Sequence, residues 1–342
     1  MIVAVRFHGS AQPPLALSEG RRIFTIGSGA CDLVVPAELA RDVAPIHATI
    51  ERVEGGIMVR ETSHAHGLYR SPRAARAPEL LLHPGAVGWI GGCPLLALDH
   101  RFATLRPRLA WSMGLDAHAA VDEAIGAVAD GTPLALVGPR GLDALPLARA
   151  IHDATAGDRA FVVGDTSIPP IAGVDGTIVV DLDRVRRVGA SQVAAMLAAR
   201  CAARVIFLAS TPRAVRRHLD VYADRVRAVE LTPLARRGPE IARLLALVWR
   251  DELGSDRSTD AIGPRSLRGL AAYSWPRNLD ELRAMATRIL AYTMHPSLRR
   301  AARSLGVKHQ TLAAHLRRIG VEIIDQADRE LALPPRSERT AP

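Results

Sequence analysis

Residues 134–152, LALVGPRGLDALPLARAIH, are the stretch whose residue types come nearest to handling phosphate. They read as a buried apolar strand, a glycine-bearing turn and an amphipathic helix, the setting in which a G-x-x-x-x-G-K-[ST] loop cradles phosphate. That chemistry needs a second glycine for close backbone approach, a lysine to meet phosphate charge and a hydroxyl to hold magnesium. Gly138 and Gly141 are in place, but those three positions hold Asp143, Ala144 and Leu145. Residual ATP or ADP binding through Gly138, Gly141 and the helix N-terminus stands against a plainer reading, a turn that packs strand on helix. No cofactor is expected.

A second stretch, HPSLRRAARSLGVKHQTLAAHLRRIGV at residues 295–321, contains no acid. Pro296 and Ser297 signal a helix start, and Leu298, Ala301, Ala302 and Leu305 share one face. Gly306 permits a turn, and residues 308–318 form a second helix with Leu312, Leu316 and Ile319 inward. This is helix-turn-helix spacing. It sets Lys308, His309, Gln310 and Thr311 at the end that reads base edges, with His315, Arg317 and Arg318 further along for phosphate. Arg299, Arg300 and Arg303 lie on the first helix. The alternative is a C-terminal hairpin that packs on the helices before it.

The elements that carry these stretches need a chain with real cores. At 342 residues, 48% hydrophobic, two or three folded domains are expected and general disorder is excluded. No apolar run approaches the ~18 residues of a membrane span, and MIVAVRFHGS has no leader pattern, so a cytoplasmic protein is expected. Cys31, Cys93 and Cys201 each sit in an apolar run and read as buried thiols, with no metal spacing. The net charge of +9 and pI near 10.5 suit a polyanionic partner such as nucleic acid, or reflect a generally arginine-rich composition.

Residues 1–106 show short β-patterned runs at 2–7, 22–26, 32–35, 48–52, 57–61, 80–82, 87–90 and 95–98, with Glu54-Gly55-Gly56 as a hairpin turn. Such spacing predicts an all-β sandwich. FTIG at 24–27, CDLVVP at 31–36, IHATI at 46–50, Gly67 and LHPGAVGWIGG at 82–92 make this module resemble a forkhead-associated domain. The resemblance implies loops that bind phosphothreonine peptides and hence a protein partner. At the family's phosphate-holding positions, however, stand Ser28, Ala44, Pro45 and His66. Ser28 and His66 alone can donate there, and His47 matches a histidine with a structural role in the family. The fold is therefore expected without ordinary phosphothreonine binding.

Past a joint at Arg106-Pro107-Arg108, a helical run at 117–129 precedes the glycine loop. Strands follow at 160–163, 177–180 and 204–209, with a helix at 190–203. Alternation of this kind predicts a largely parallel sheet over residues 117–232. LARAIH at 147–152, GTIVVD at 176–181, ELTPLARR at 230–237 and YSWPRNLDEL at 273–282 resemble the AAA+ domain and helical lid (residues 233–293) of sigma-54 enhancer-binding regulators. The lid motif keeps Trp275, Pro276, Asn278, Glu281 and Leu282.

In the family's chemical positions, Ala144 replaces the loop lysine and Leu182 the catalytic glutamate beside the retained Asp181. The polar sensor falls on or beside Ser210, Asp280 replaces the sensor arginine, and the chain between His152 and Gly176 is too short for the GAFTGA loop. This implies a degenerate, inactive ATPase. Residues 294–325 resemble the Fis-type DNA-binding domain, which implies a homodimer on DNA; residues 326–342 read as a disordered tail. The expectation is a multidomain α/β regulator that binds DNA, the alternative an interaction adaptor working through the sandwich. The missing lysine and GAFTGA segment argue against an active ATPase.

Overall fold

The computed structural model describes residues 1–63, 67–164, 174–185, 190–198 and 203–323. His66, Cys201 and the tail at 326–342 lie outside the described residues. The rest forms two compact units: residues 1–139 with 144–231, and residues 140–143 with the chain from Thr232 on.

The first unit opens as the expected sandwich of two five-stranded sheets. One takes β1 (Ile2–Phe7), β2 (Leu15–Ala16), β7 (Leu68–Tyr69), β9 (Val87–Ile90) and β10 (Cys93–Asp99) in the order β2-β1-β10-β9-β7. The other takes β3 (Ile23–Gly27), β4 (Leu33–Val34), β5 (Ala48–Val53), β6 (Gly56–Glu61) and β8 (Glu79–Leu82) in the order β4-β3-β5-β6-β8. Alternate residues, among them Phe24, Ile26, Ile50, Val59, Leu80 and Leu95, interdigitate in the core, as period-two patterning requires. Val53 pairs with Gly56, so the hairpin turns on Glu54 and Gly55. The two-residue strands β2 and β7 are too short for alternation to register in a sequence.

The expected joint at Arg106-Pro107-Arg108 is not a joint. Residues His100–Met113 form one helix, α1, which runs through Pro107. Asp99 caps it, accepting from the Phe102 N–H at 3.0 Å, and Phe102, Leu105, Leu109 and Met113 are buried along one stripe. Burying four large apolar side chains, at ~1.5–3 kcal/mol each, outweighs the ~3 kcal/mol cost of an interior proline. The stripe also explains why β1 and β10 are buried on both faces: Leu96 and Leu98 turn away from the sandwich core and are fully covered.

The α/β portion of this unit adds α2 (His118–Ala129), β11 (Leu134–Val137), α3 (Ala144–Thr155), β12 (Ala160–Gly164), β13 (Gly176–Asp181), α4 (Ala190–Ala198), β14 (Ala203–Ala209), α5 (Pro212–Leu219) and β15 (Arg227–Glu230). All five strands are parallel, in the order β12-β13-β14-β11-β15. The helix expected over residues 190–203 is described over Ala190–Ala198 and does not include Ala203, which pairs with Gly176 in the sheet. β15 carries a single buried residue, Val229, so no apolar pattern announced it.

The second unit contains α6 (Ile241–Leu247), α7 (Pro264–Ala272), α8 (Asn278–Met294), α9 (Leu298–Ser304) and α10 (His309–Arg318). Trp249 and Trp275 are its largest buried side chains. Each satisfies its indole N–H on a backbone carbonyl, Ala286 and Leu270 respectively, at 3.0 Å. Among the described residues no helix is long and apolar enough to cross a membrane.

Candidate functional site

The strand order lays the carboxyl ends of β13, β14 and β11 side by side, the place where open α/β sheets bind ligands. Gly138 stands at the end of β11, its N–H on the Ala209 carbonyl at 2.9 Å. Asp181 ends β13, on the far side of β14. Its carboxylate meets Arg184 at 3.2 Å and accepts from the Asp183 N–H at 3.0 Å. Leu182 is fully buried. Ser210 gives its N–H and hydroxyl to the Asp183 carboxylate at 2.7 and 3.0 Å. The polar groups at this end of the sheet thus satisfy one another.

The glycine loop itself, residues 140–143, packs with the lid. Asp143 takes φ 60°, the left-handed conformation for which a phosphate loop uses glycine. Its carboxylate receives a two-pronged contact from Arg283, at 2.9 and 2.6 Å. Arg283 also holds Glu252 at 2.8 Å. Hydrogen bonding to Asp143 first, and to Glu252 after it, keeps the guanidinium above its ordinary pKa. Gly141, at φ 81°, lies so close to the lid that a Cβ there would meet the Arg277 carbonyl at 2.3 Å. Leu279 N–H bonds the Gly141 carbonyl at 2.8 Å, and the Asn278 amide bonds that of Arg140 at 2.9 Å. Arg283, the partner that completes this arrangement, has no sequence signal: it lies 140 residues from Asp143.

In the sandwich, the loop after β3 and the loop before β5 are hydrogen-bonded to each other. The Ser28 N–H and hydroxyl go to the carbonyls of Ala44 (2.9 Å) and Val43 (2.8 Å), and Gly29 N–H goes to Pro45 at 3.0 Å. His47 is fully buried. Its Nδ1 accepts from Ala44 N–H and its Nε2 donates to the Gly67 carbonyl, both at 3.2 Å, which assigns a neutral ring. Cys31 is partly exposed rather than buried, with its thiol on the Pro45 carbonyl at 3.0 Å. Burial, and then Asp42, push the Cys93 thiol up to about 11, where it is unreactive.

At the C-terminal end, Ser297 caps α9 by accepting from the Arg300 N–H, and Gly306 makes the turn at φ 65°. Ala301, Ala302, Leu312, Leu316 and Ile319 are buried. The hairpin packs on α8 and leaves Lys308, His309, Gln310 and Thr311 exposed at the start of α10, with Arg299, Arg300, Arg303 and Arg317 also exposed. Arg318 is differently placed. It bonds the buried Glu281 at 3.0 Å, a carboxylate that also accepts from the Tyr273 hydroxyl at 3.0 Å and the Arg277 N–H at 3.2 Å. His315 is half-buried, and its Nδ1 has no hydrogen-bond partner among the described residues. Burial, then Arg288 and Arg318, hold its pKa below the ordinary value.

No family model and no curated protein matches the chain. Solved structures match parts of it. The FHA domain of the CT664 protein from Chlamydia trachomatis is 16% identical, over 28% of this chain and 96% of that one, with a TM-score of 0.24. The cytoplasmic domain of the sorting-platform protein PscD from P. aeruginosa is 22% identical over 29% of this chain and 82% of its own, with a TM-score of 0.24. NtrX from Brucella abortus, crystallised in complex with ATP, is 16% identical, covering 65% of this chain and 68% of its own with a TM-score of 0.35.

Proposed function

We propose that this chain is a sequence-specific DNA-binding regulator of transcription whose phosphate-loop domain is catalytically inert. The observation that carries the reading is the exposed, acid-free front of the C-terminal hairpin. Lys308, His309, Gln310 and Thr311 stand together at the start of α10, flanked by the exposed arginines of α9 and by Arg317. Such a set combines base-edge donors and acceptors with phosphate-neutralising charge. Arg318 is assigned to fastening α10 on the lid through Glu281. As in the domain it resembles, the hairpin would act as a pair on two half-sites one helical turn apart, ~34 Å.

Inertness of the loop is supported by Asp143 and Arg283. Arg283 fixes the Asp143 carboxylate in the loop, so a negative charge stands where phosphate would need a positive one. Phosphoryl transfer depends almost wholly on positioning and charge neutralisation. ATP turnover by the purified chain that disappears on Asp181→Asn would sink this part of the reading.

The recognition part is tested by DNA selection with the full chain across a salt series. The expected outcome is a preferred site bound with a steep salt dependence. Lys308→Ala should cost roughly 1–3 kcal/mol on that site and relax its preference. Arg317→Ala should weaken all sequences alike and lower the salt slope by about 1. A second reading, an adaptor acting through the sandwich, would be favoured by an absence of DNA preference at every salt concentration together with retained capture of a protein partner.

A further inference from the structure

Helix α5, PRAVRRHL, is a strongly charged surface that the reading above leaves unused. Thr211 caps it, accepting from the Ala214 N–H at 3.2 Å, and Pro212 opens it. Ala214, Val215 and Leu219 face inward and are buried against the α/β core. The spacing that buries those three sends Arg213, Arg216 and Arg217 out together, at i, i+3 and i+4, onto one exposed face. Among the described residues none of the three has an acidic partner. Asp183 acts electrostatically on His218, whose pKa is held down by burial and by Arg217.

Elsewhere on the same unit some exposed arginines are matched to acids, as Arg76 is to Glu61, Arg159 to Asp175 and Arg227 to Glu123, while Arg41, Arg73 and Arg108 are exposed without an ion pair among the described residues. What sets α5 apart is that three such guanidiniums share one face of a single short helix. Like charges one helical turn apart repel each other, and the contact Arg217 does make, to His218 Nε2 at 3.2 Å, brings no negative charge. A line of phosphates would.

We infer that the arginine face of α5 is a second, sequence-independent docking surface for the phosphodiester backbone of DNA, an inference that rests on the DNA-binding reading of α10. The outward residues of this face are three guanidiniums, whose clustered charge matches the repeating charge of the backbone. Assigned to phosphate, the face contributes affinity without preference.

The experiment is a salt titration of the full chain carrying Arg213→Gln, Arg216→Gln and Arg217→Gln, on its selected duplex and on a random-sequence duplex. These side chains are exposed, so an unchanged melting temperature is the check on folding. The expected result is a salt slope smaller by about 2–3 on both duplexes, with the ratio of specific to random affinity unchanged. The counter-test is Lys308→Ala with Arg317→Ala, which should lower that ratio. If the triple variant keeps the full slope while the α10 variant loses preference, the α5 assignment is overturned and the reading of α10 stands. If the slope falls but the α10 variant keeps its preference, α5 binds DNA and the reading of α10 fails. A full slope together with loss of an acidic protein partner would assign the face to protein and overturn the proposal.

Discussion

Asp143 takes the place of a glycine, keeps that glycine's backbone conformation, and answers with its own charge. Holding a non-glycine residue at φ 60° costs roughly 1–2 kcal/mol, less for aspartate than for most residues. The two-pronged bond to Arg283 offsets it, since hydrogen bonds between charged groups contribute ~1.5–3 kcal/mol. The sequence sets Asp143 where the phosphate-loop pattern has glycine, and Asp280 where the resemblance implies an arginine. Neither pointed to Arg283, because pairing across the loop and α8 is a fact of packing and follows no local period. His315 supplies a prediction at this scale. Burial lowers its folded-state pKa, so on acidification the unfolded chain takes up the proton first. Its stabilising effect is present above the ordinary value of about 6.5 and fades as pH falls below it. His118 and His218, lowered chiefly by burial as well, act in the same direction. The melting temperature should therefore drop between pH about 7.5 and about 5.5, and drop less in His315→Gln. An identical drop in that variant would show that His315 does not contribute.

Among the elements, the hairpin α9–α10 was the most legible, because its signals are local: a serine cap, a glycine turn and apolar residues at helical spacing. What covers it was not. A Cβ on Gly269 of α7 would stand 2.2 Å from the Gly320 carbonyl, and Glu322 N–H reaches the Ser266 hydroxyl at 2.9 Å. The turn after α10 is thus seated on α7. Gly269→Ala should cost about 1–3 kcal/mol by overpacking, with faster amide exchange in α10. Gly306→Ala meets open space and pays only for its positive φ, about 1–2 kcal/mol. Exchange in α10 that is unaffected by Gly269→Ala would mean that this contact does not hold the hairpin. Helix α1 shows the opposite case, in which a proline read as a boundary is overridden by the apolar stripe around it.

At the scale of the first unit, the sandwich and the α/β core are fastened by one buried carboxylate. Asp122 of α2 is fully buried and meets Arg6 of β1 at 3.2 Å, Arg106 of α1 at 2.8 Å and the Gly9 N–H at 2.9 Å. Gly85, in the turn before β9, leaves no room for a Cβ against Ala129 of α2. Asp122→Ala strands two guanidiniums with little or no access to water and should cost about 3–5 kcal/mol, read from urea unfolding of the full chain. Removing Arg106 as well should recover part of that loss. An unchanged midpoint in Asp122→Ala would mean that the cluster is not what joins the two layers.

What the sequence determined by itself was whatever is written in neighbouring residues. The alternation of the sandwich strands, the caps and turns of the hairpin, the run of strands and helices in the core and the residue types missing from the glycine loop are all of this kind. Each follows from the 2.0 and 3.6 residue periods or from one residue's backbone preference. The tertiary structure alone decided which charges meet. Asp143 with Arg283, Arg318 with Glu281 and Asp122 with Arg6 and Arg106 are long-range pairs, and the fold likewise decides that no acid among the described residues pairs with Arg213, Arg216 or Arg217. A guanidinium looks the same in sequence whether it is neutralised or waiting for an anion. The distance to the nearest carboxylate, set by the fold, makes the difference.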